Sequence, residues 1–160
     1  MNILDVREKR FVTIRKTYEI FHAKRLTAAQ YFTYRRLSAT IDDLPPVDDA
    51  ATQTAADRCR RELIRSIYAN FQEPAARREL WELTLSEVLD RCELLLEGNA
   101  EEDQGKIGKA LASVDPEIAV PAIMRAFPAY KLHHLALMPA FEFLMLYRLT
   151  NPTTPNTTVK

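Results

Sequence analysis

His133 and His134 stand side by side in KLHHLALMPAFEFLMLYRL, residues 131–149. Imidazoles bind metals and move protons near neutral pH, so the pair invites a chemical reading. On a helix, however, neighbouring side chains point about 100° apart, and one ion reaches both only where the backbone breaks. No further histidine or cysteine lies at ligand spacing, so a surface or structural role is expected. Glu19-Ile20-Phe21-His22 is a Glu-x-x-His unit, which di-iron bundles use twice together with two further glutamates. Here it occurs once, because Tyr130 and Lys131 stand three residues before the paired histidines. No metal and no cofactor is expected.

Glu142 lies among Phe141, Phe143 and Leu144, a setting that can hold a carboxyl protonated for catalysis. It equally suits a helix-surface carboxylate, or one paired with an arginine such as Arg125 or Arg148. No serine, cysteine or lysine beside it has a recognisable nucleophile setting, so an enzyme is not expected. Gly105-Lys106-Ile107-Gly108-Lys109 hints at a phosphate clamp. A P-loop needs Ser or Thr after its Gly-Lys, whereas Ile107 and Ala110 follow here. A KH-type loop needs flanking strands, and none is evident. Helix-hairpin-helix glycines are spaced two apart rather than three. A flexible basic turn is what remains.

The first segment has the strongest functional pull. Arg7, Lys9, Arg10, Arg15, Lys16, Lys24, Arg25, Arg35 and Arg36 are interleaved with Phe11, Tyr18, Phe21, Tyr31, Phe32 and Tyr34. Cations for phosphates and rings for stacking are what nucleic-acid surfaces combine. Aromatics at helical spacing also fit a core face with a solvated basic rim. Residues 1–41 carry a net charge of +6, residues 42–103 of −9 and residues 104–160 of +3, so the whole chain is neutral. Neutrality removes any global pull toward nucleic acid or anionic lipid, while the segregation allows a basic and an acidic face.

These residues need a scaffold, and 160 residues with 47% hydrophobic content suit one domain with a real core. Only three glycines occur, which disfavours many-turned β architectures. The expected fold is all-α, a single-domain bundle of about five to seven helices over residues 1–149, followed by a flexible threonine-rich tail at 150–160. Residues 1–44 are expected as basic helices and 45–149 as the helical core. Leu4, Phe11 and Tyr18 recur every seven residues with Ile14 and Phe21 between them, a helical seam. Yet FVTIRKTYEIF is rich in β-branched and aromatic residues, and Val12, Ile14, Tyr18 and Ile20 also fit alternation. Helix is preferred because no glycine or proline interrupts Met1–Leu44.

Thr27-Ala28-Ala29-Gln30 is a capping box, with Leu26 and Tyr31 at staple spacing. Tyr31, Tyr34, Leu37 and Ile41 form the apolar face until Pro45-Pro46. The stretch LTAAQYFTYRRL, Leu26 to Leu37, resembles a helix of MarR-type regulators that opens Leu-Thr-x-x-Gln. The likeness covers twelve residues, and an acidic, proline-bearing stretch stands where that family's helix-turn-helix and β-wing would follow.

Ala56, Cys59, Leu63, Ile64, Ile67, Tyr68 and Phe71 mark a third helix ending before Pro74. Trp81, Leu85, Val88, Leu89, Cys92, Leu95 and Leu96 mark a fourth from Pro74 to Glu97, with Gly98 as its exit. Asp115-Pro116-Glu117 starts another helix, and Pro121, Pro128 and Pro139 chop the remainder. Glu142, Arg148 and Pro139 leave the 131–149 stretch too short for a membrane span, so it reads as two deeply buried core helices. Charges interrupt any N-terminal signal peptide, and two cysteines on apolar faces read as reduced thiols, so the cytoplasm is expected.

Bipolar charge without a complete catalytic motif points to a non-enzymatic protein-interaction module: a regulator, adaptor or chaperone-like subunit with a protein partner. The alternative is nucleic-acid binding through the basic N-terminal helices. The aromatic-rich first helix also offers a surface for a homo-oligomer.

Overall fold

The computed structural model describes residues 10–15, 20–99 and 105–150. The fold is mostly helical, as expected, but among those residues it has eight α-helices, above the expected five to seven, and a small two-stranded sheet that an all-α fold would lack. Residues 11–15 and 20–24, expected as helix, are strand. Phe11–Arg15 (β1) pairs antiparallel with Ile20–Lys24 (β2), placing Val12 opposite Ala23 and Ile14 opposite Phe21. Those four side chains are buried. Alternation buries Val12 and Ile14 together, and β-branched Val12, Thr13 and Ile14 keep more rotamer freedom in a strand than in a helix. Phe21 rather than Ile20 faces inward on β2, so the apolar parity switches between the strands.

Each sheet edge meets other parts of the chain. The Asn99 amide accepts from Thr13 N–H and donates to Thr13 C=O, both at 2.8 Å, pairing with β1 as another strand would. On β2, His22 N–H donates to Glu73, and Ala23 forms a bridge with Phe71. Unpaired edges recruit foreign strands, and these contacts occupy them.

Ala28–Asp42 (α1) begins at the expected capping box: Thr27 Oγ1 accepts from Gln30 N–H, and the Gln30 side chain accepts from Thr27 N–H. Leu26 and Tyr31 are both buried. Ala50–Ile67 (α2) starts where Asp49 accepts from Thr52 N–H, and a 3-10 turn over Tyr68–Asn70 leads out of it. Cys59, Leu63, Ile64, Ile67 and Phe71 are buried along this stretch, while Tyr68 is exposed.

The fourth helix divides. Pro74–Leu80 (α3) and Leu85–Glu97 (α4) are separate because Thr84 and Glu87 form a second capping box. A reciprocal cap of this kind satisfies first-turn amides that a continuous helix would have bonded internally. Trp81, expected inside, sits in the joint and is 42% exposed. Val88, Cys92, Leu95 and Leu96 are buried, and α4 packs on α2 as the two stripes require. Both cysteines are buried and unbridged.

Lys106–Ala112 (α5) replaces the expected flexible basic turn. Its order comes from buried Glu97, whose carboxylate accepts from Ile107 and Gly108 N–H at 3.2 and 2.7 Å. A Cβ at Gly108 would stand 3.1 Å from that carboxylate, so glycine lets the acid approach the backbone. Pro116–Ala126 (α6) starts at Asp115 and runs through Pro121 without ending. Pro128 and Pro139 do break the chain, giving Leu132–Leu137 (α7) and Ala140–Thr150 (α8). Buried residues of both strands and all eight helices form one contiguous core. No helix among the described residues is long and apolar enough to cross a membrane.

Candidate functional site

The two C-terminal helices are not the deeply buried pieces that their composition implies. Leu135, Ala140, Phe143 and Leu144 face the core, but Leu137 is 70% exposed, Met145 54% and Leu149 68%. Helices this short and apolar on every side have more apolar surface than one core contact can cover. The uncovered side forms one wall of a groove of about 1090 Å³.

The joint between α7 and α8 fixes that wall. Pro139 cannot continue a helix, and the extended backbone around it pairs with the entry to α1. Ala28 N–H donates to Met138 C=O at 2.9 Å, and Ala140 N–H donates to Leu26 C=O at 2.8 Å. Opposite stands the N-terminal segment, tied in by Arg25 N–H donating to Arg10 C=O. Phe11, 41% exposed, joins Met138, Met145, Leu146 and Leu149 in an apolar lining, with Arg10, Lys24, Arg25 and Glu142 around it. Methionine side chains, unbranched and polarisable, adapt their shape to their surroundings, and here Met145 stands exposed in a lining shared with the Phe11 ring.

Beneath this rim lies a satisfied polar network. The Asn70 and Gln30 amides bond reciprocally at 2.7 and 3.1 Å. Asn70 also donates to Lys24 and Arg25 C=O, and Gln30 donates to Ser66 C=O. The network ties β2, α1 and the end of α2 together, so the groove floor is built on fixed elements.

Six of the nine predicted cations fall among the described residues, and they point to different places. Arg7, Lys9 and Lys16 lie outside the described residues. Arg10, Lys24 and Arg25 reach the groove. Arg10 pairs with Glu142 at 3.2 Å, a partner other than the expected Arg125 or Arg148. Arg25 is buried: its guanidinium donates to Leu96 C=O at the C-terminal end of α4 and lies 4.4 Å from the Phe141 ring centroid. Arg35 also turns inward, donating to Leu111 and Val114 C=O at 3.2 and 2.6 Å and stacking on Phe32. Arg15 is exposed on β1 and Arg36 on α1, and neither lines the groove. Two of the cations thus close helix C-termini, where carbonyls lack internal partners.

The remaining chemical candidates are dispersed. The His133 and His134 rings touch with centroids 4.0 Å apart, tilted at 51° to each other, and His134 Nδ1 accepts from Lys131 N–H. His22 is exposed on β2, while Glu19 lies outside the described residues. Among the described residues, no group of three or more His, Cys, Asp or Glu could hold a metal. A second hollow of about 570 Å³ lies between α1 and α4, where Tyr31, Tyr34 and Arg35 meet Asp90, Glu93 and Glu97. Burial pushes the Tyr34 hydroxyl up to about 12, with Glu93 adding to the rise, and burial also raises Tyr31. These phenols stay neutral and serve packing and hydrogen bonding.

The exposed apolar wall is what sequence reasoning missed. Its signal was the excess of apolar residues over 132–149 beyond what one buried stripe needs, where a half-buried helix would carry mostly polar ones on its outer side. No family model, curated protein or solved structure matches this chain.

Proposed function

We propose that the protein is a non-enzymatic interaction module, a regulator, adaptor or chaperone-like subunit, that receives a segment of a protein partner in the groove beside α8. The observation that carries this is a continuous apolar lining of Phe11, Leu137, Met145 and Leu149 held open on a satisfied polar floor. Exposed apolar residues gathered in one place, rimmed by charge, mark interaction sites. The scatter of Arg15, Arg35 and Arg36 away from the groove disfavours nucleic acid, which needs cations gathered along one track.

The test is a photo-crosslinking residue at position 145, compared with one at exposed Glu82 on the α3–α4 joint. Protein adducts unique to position 145, and lost when Leu137 and Leu149 become glutamate, support the proposal. Identical adducts from both positions, or adducts indifferent to the glutamates, overturn it.

A further inference from the structure

The linker between α1 and α2 has the chemistry that the groove lacks. It reads Asp42-Asp43-Leu44-Pro45-Pro46-Val47-Asp48-Asp49, four apolar residues between two pairs of aspartates. It lies almost wholly in solvent, and Val47 is 52% exposed. Asp49 is engaged by Thr52 N–H and Asp48 by Gln53. Asp42 and Asp43 make no ion pair among the described residues. The chain bends at Leu44 and Pro46, and two consecutive prolines fix two of its φ angles, so less conformational freedom is lost when the segment docks. Proline-rich segments of this kind seat in grooves lined by apolar and aromatic side chains.

Resting on the docking role given above to the groove, we propose that its occupant is the Asp42–Asp49 linker of a second copy of this chain. Leu44 to Val47 lie against Phe11, Met145 and Leu149, and Asp42 and Asp43 face Arg10 and Lys24. The groove rim carries exposed Lys24 and the Arg10–Glu142 pair, with Arg25 buried behind them, so it is net positive, and the linker carries only carboxylates, so the charges are complementary.

Geometry makes the contact intermolecular. Thr27, at the start of α1, lines the groove, while the linker follows the other end of that helix. Fifteen residues of helix separate them by about 22 Å. A copy therefore cannot fill its own groove, and each docking event leaves one groove and one linker free for further copies. The contact is heterologous, head to tail. An acyl chain with an acidic head shares some of this chemistry, but an open groove would leave much of such a chain in water.

Sedimentation velocity of the full chain tests the assignment. Weight-average mass should climb past that of a dimer from micromolar to submillimolar concentration and fall as salt is raised. A groove variant, Met145→Glu with Leu149→Glu, and a linker variant, Asp42→Lys with Asp43→Lys, should each associate about tenfold more weakly or less. All four positions are exposed, and circular dichroism of each variant checks that it folds. Mixed together, the two variants should form a one-to-one complex and stop there, since only one intact groove and one intact linker can meet. A wild-type chain that stays monomeric at low salt, or a mixture that forms no complex, overturns self-association. If groove-dependent crosslinks to another protein persist in that case, the groove still docks a partner and only the identity of the occupant falls. If position 145 crosslinks lipid alone, both assignments fall.

Discussion

The α2–α4 pair and the α7–α8 pair show similar apolar spacing in the sequence and meet opposite fates. Cys59, Leu63, Ile64 and Ile67 close against Val88, Cys92 and Leu95, all removed from solvent. On α7 and α8, Leu135 and Phe143 are buried, but Leu137, Met145 and Leu149 are left outside. The first pair is amphipathic: exposed Arg58, Arg61 and Glu62 on α2 mark the side that stays wet. The second is apolar nearly all round, and its short helices contact the core on one side only. An apolar stripe identifies a face that avoids water, but the neighbouring elements decide whether anything covers it.

Truncation should separate the two regions most sharply. Leu63→Ala or Ile64→Ala leaves a cavity in a filled core and should cost about 3–5 kcal/mol. Leu149→Ala removes a solvated side chain and should stay within about 0.5 kcal/mol. Urea unfolding measures both through the midpoint at constant slope, and equal costs would erase the distinction.

Alkali probes the same core by another route. Burial, reinforced by Glu93, pushes the Cys92 thiol up to about 12, and Tyr34 is raised to a similar value. The unfolded chain ionises these groups near 9 and 10, before the folded one does. Stability is therefore complete below pH 9 and falls as pH rises toward about 12. Cys92→Ala with Tyr34→Phe should flatten that fall, and an unchanged profile would assign it to other groups.

Asn70→Ala tests whether the groove floor is as firmly built as the core. It removes one partner each from the Lys24 and Arg25 carbonyls and breaks the reciprocal bond to the Gln30 amide, at a cost of about 1–3 kcal/mol. Crosslinking from position 145 should weaken with it, and undiminished crosslinking would show that the wall alone suffices. Smallest are the caps. Thr84→Ala and Thr27→Ala should each lower stability by about 1 kcal/mol. Thr84→Ala should affect α4 and leave groove binding intact, whereas Thr27→Ala should reduce both, since Thr27 lines the groove.

Local chemistry made much of this legible in the sequence. Thr27 with Gln30, Asp49 with Thr52, and Asp115 before Pro116 mark helix starts through bonds formed within a few residues. Thr84 with Glu87 had the same signature, but an unbroken run of apolar spacing from Trp81 onward masked it. Long-range bonds were not legible. Nothing near Gly105 announces that Glu97 will cap the following helix, and nothing near Arg35 announces carbonyls at Leu111 and Val114. Phe11–Arg15 failed for a related reason: two periods fitted the same residues, and only pairing with Ile20–Lys24 chooses between them. The groove was hidden because exposure depends on what lies opposite.

The closed edges of the β1–β2 pair have a consequence for how copies of this chain can gather. Short, β-branched stretches such as FVTIR are the raw material of cross-β stacking when their backbone is open to a neighbour. Here one carboxamide, from Asn99, occupies the Thr13 amide and carbonyl on the free side of β1. Losing that one carboxamide would leave the Thr13 amide and carbonyl without this partner and open that edge of β1 to a foreign strand.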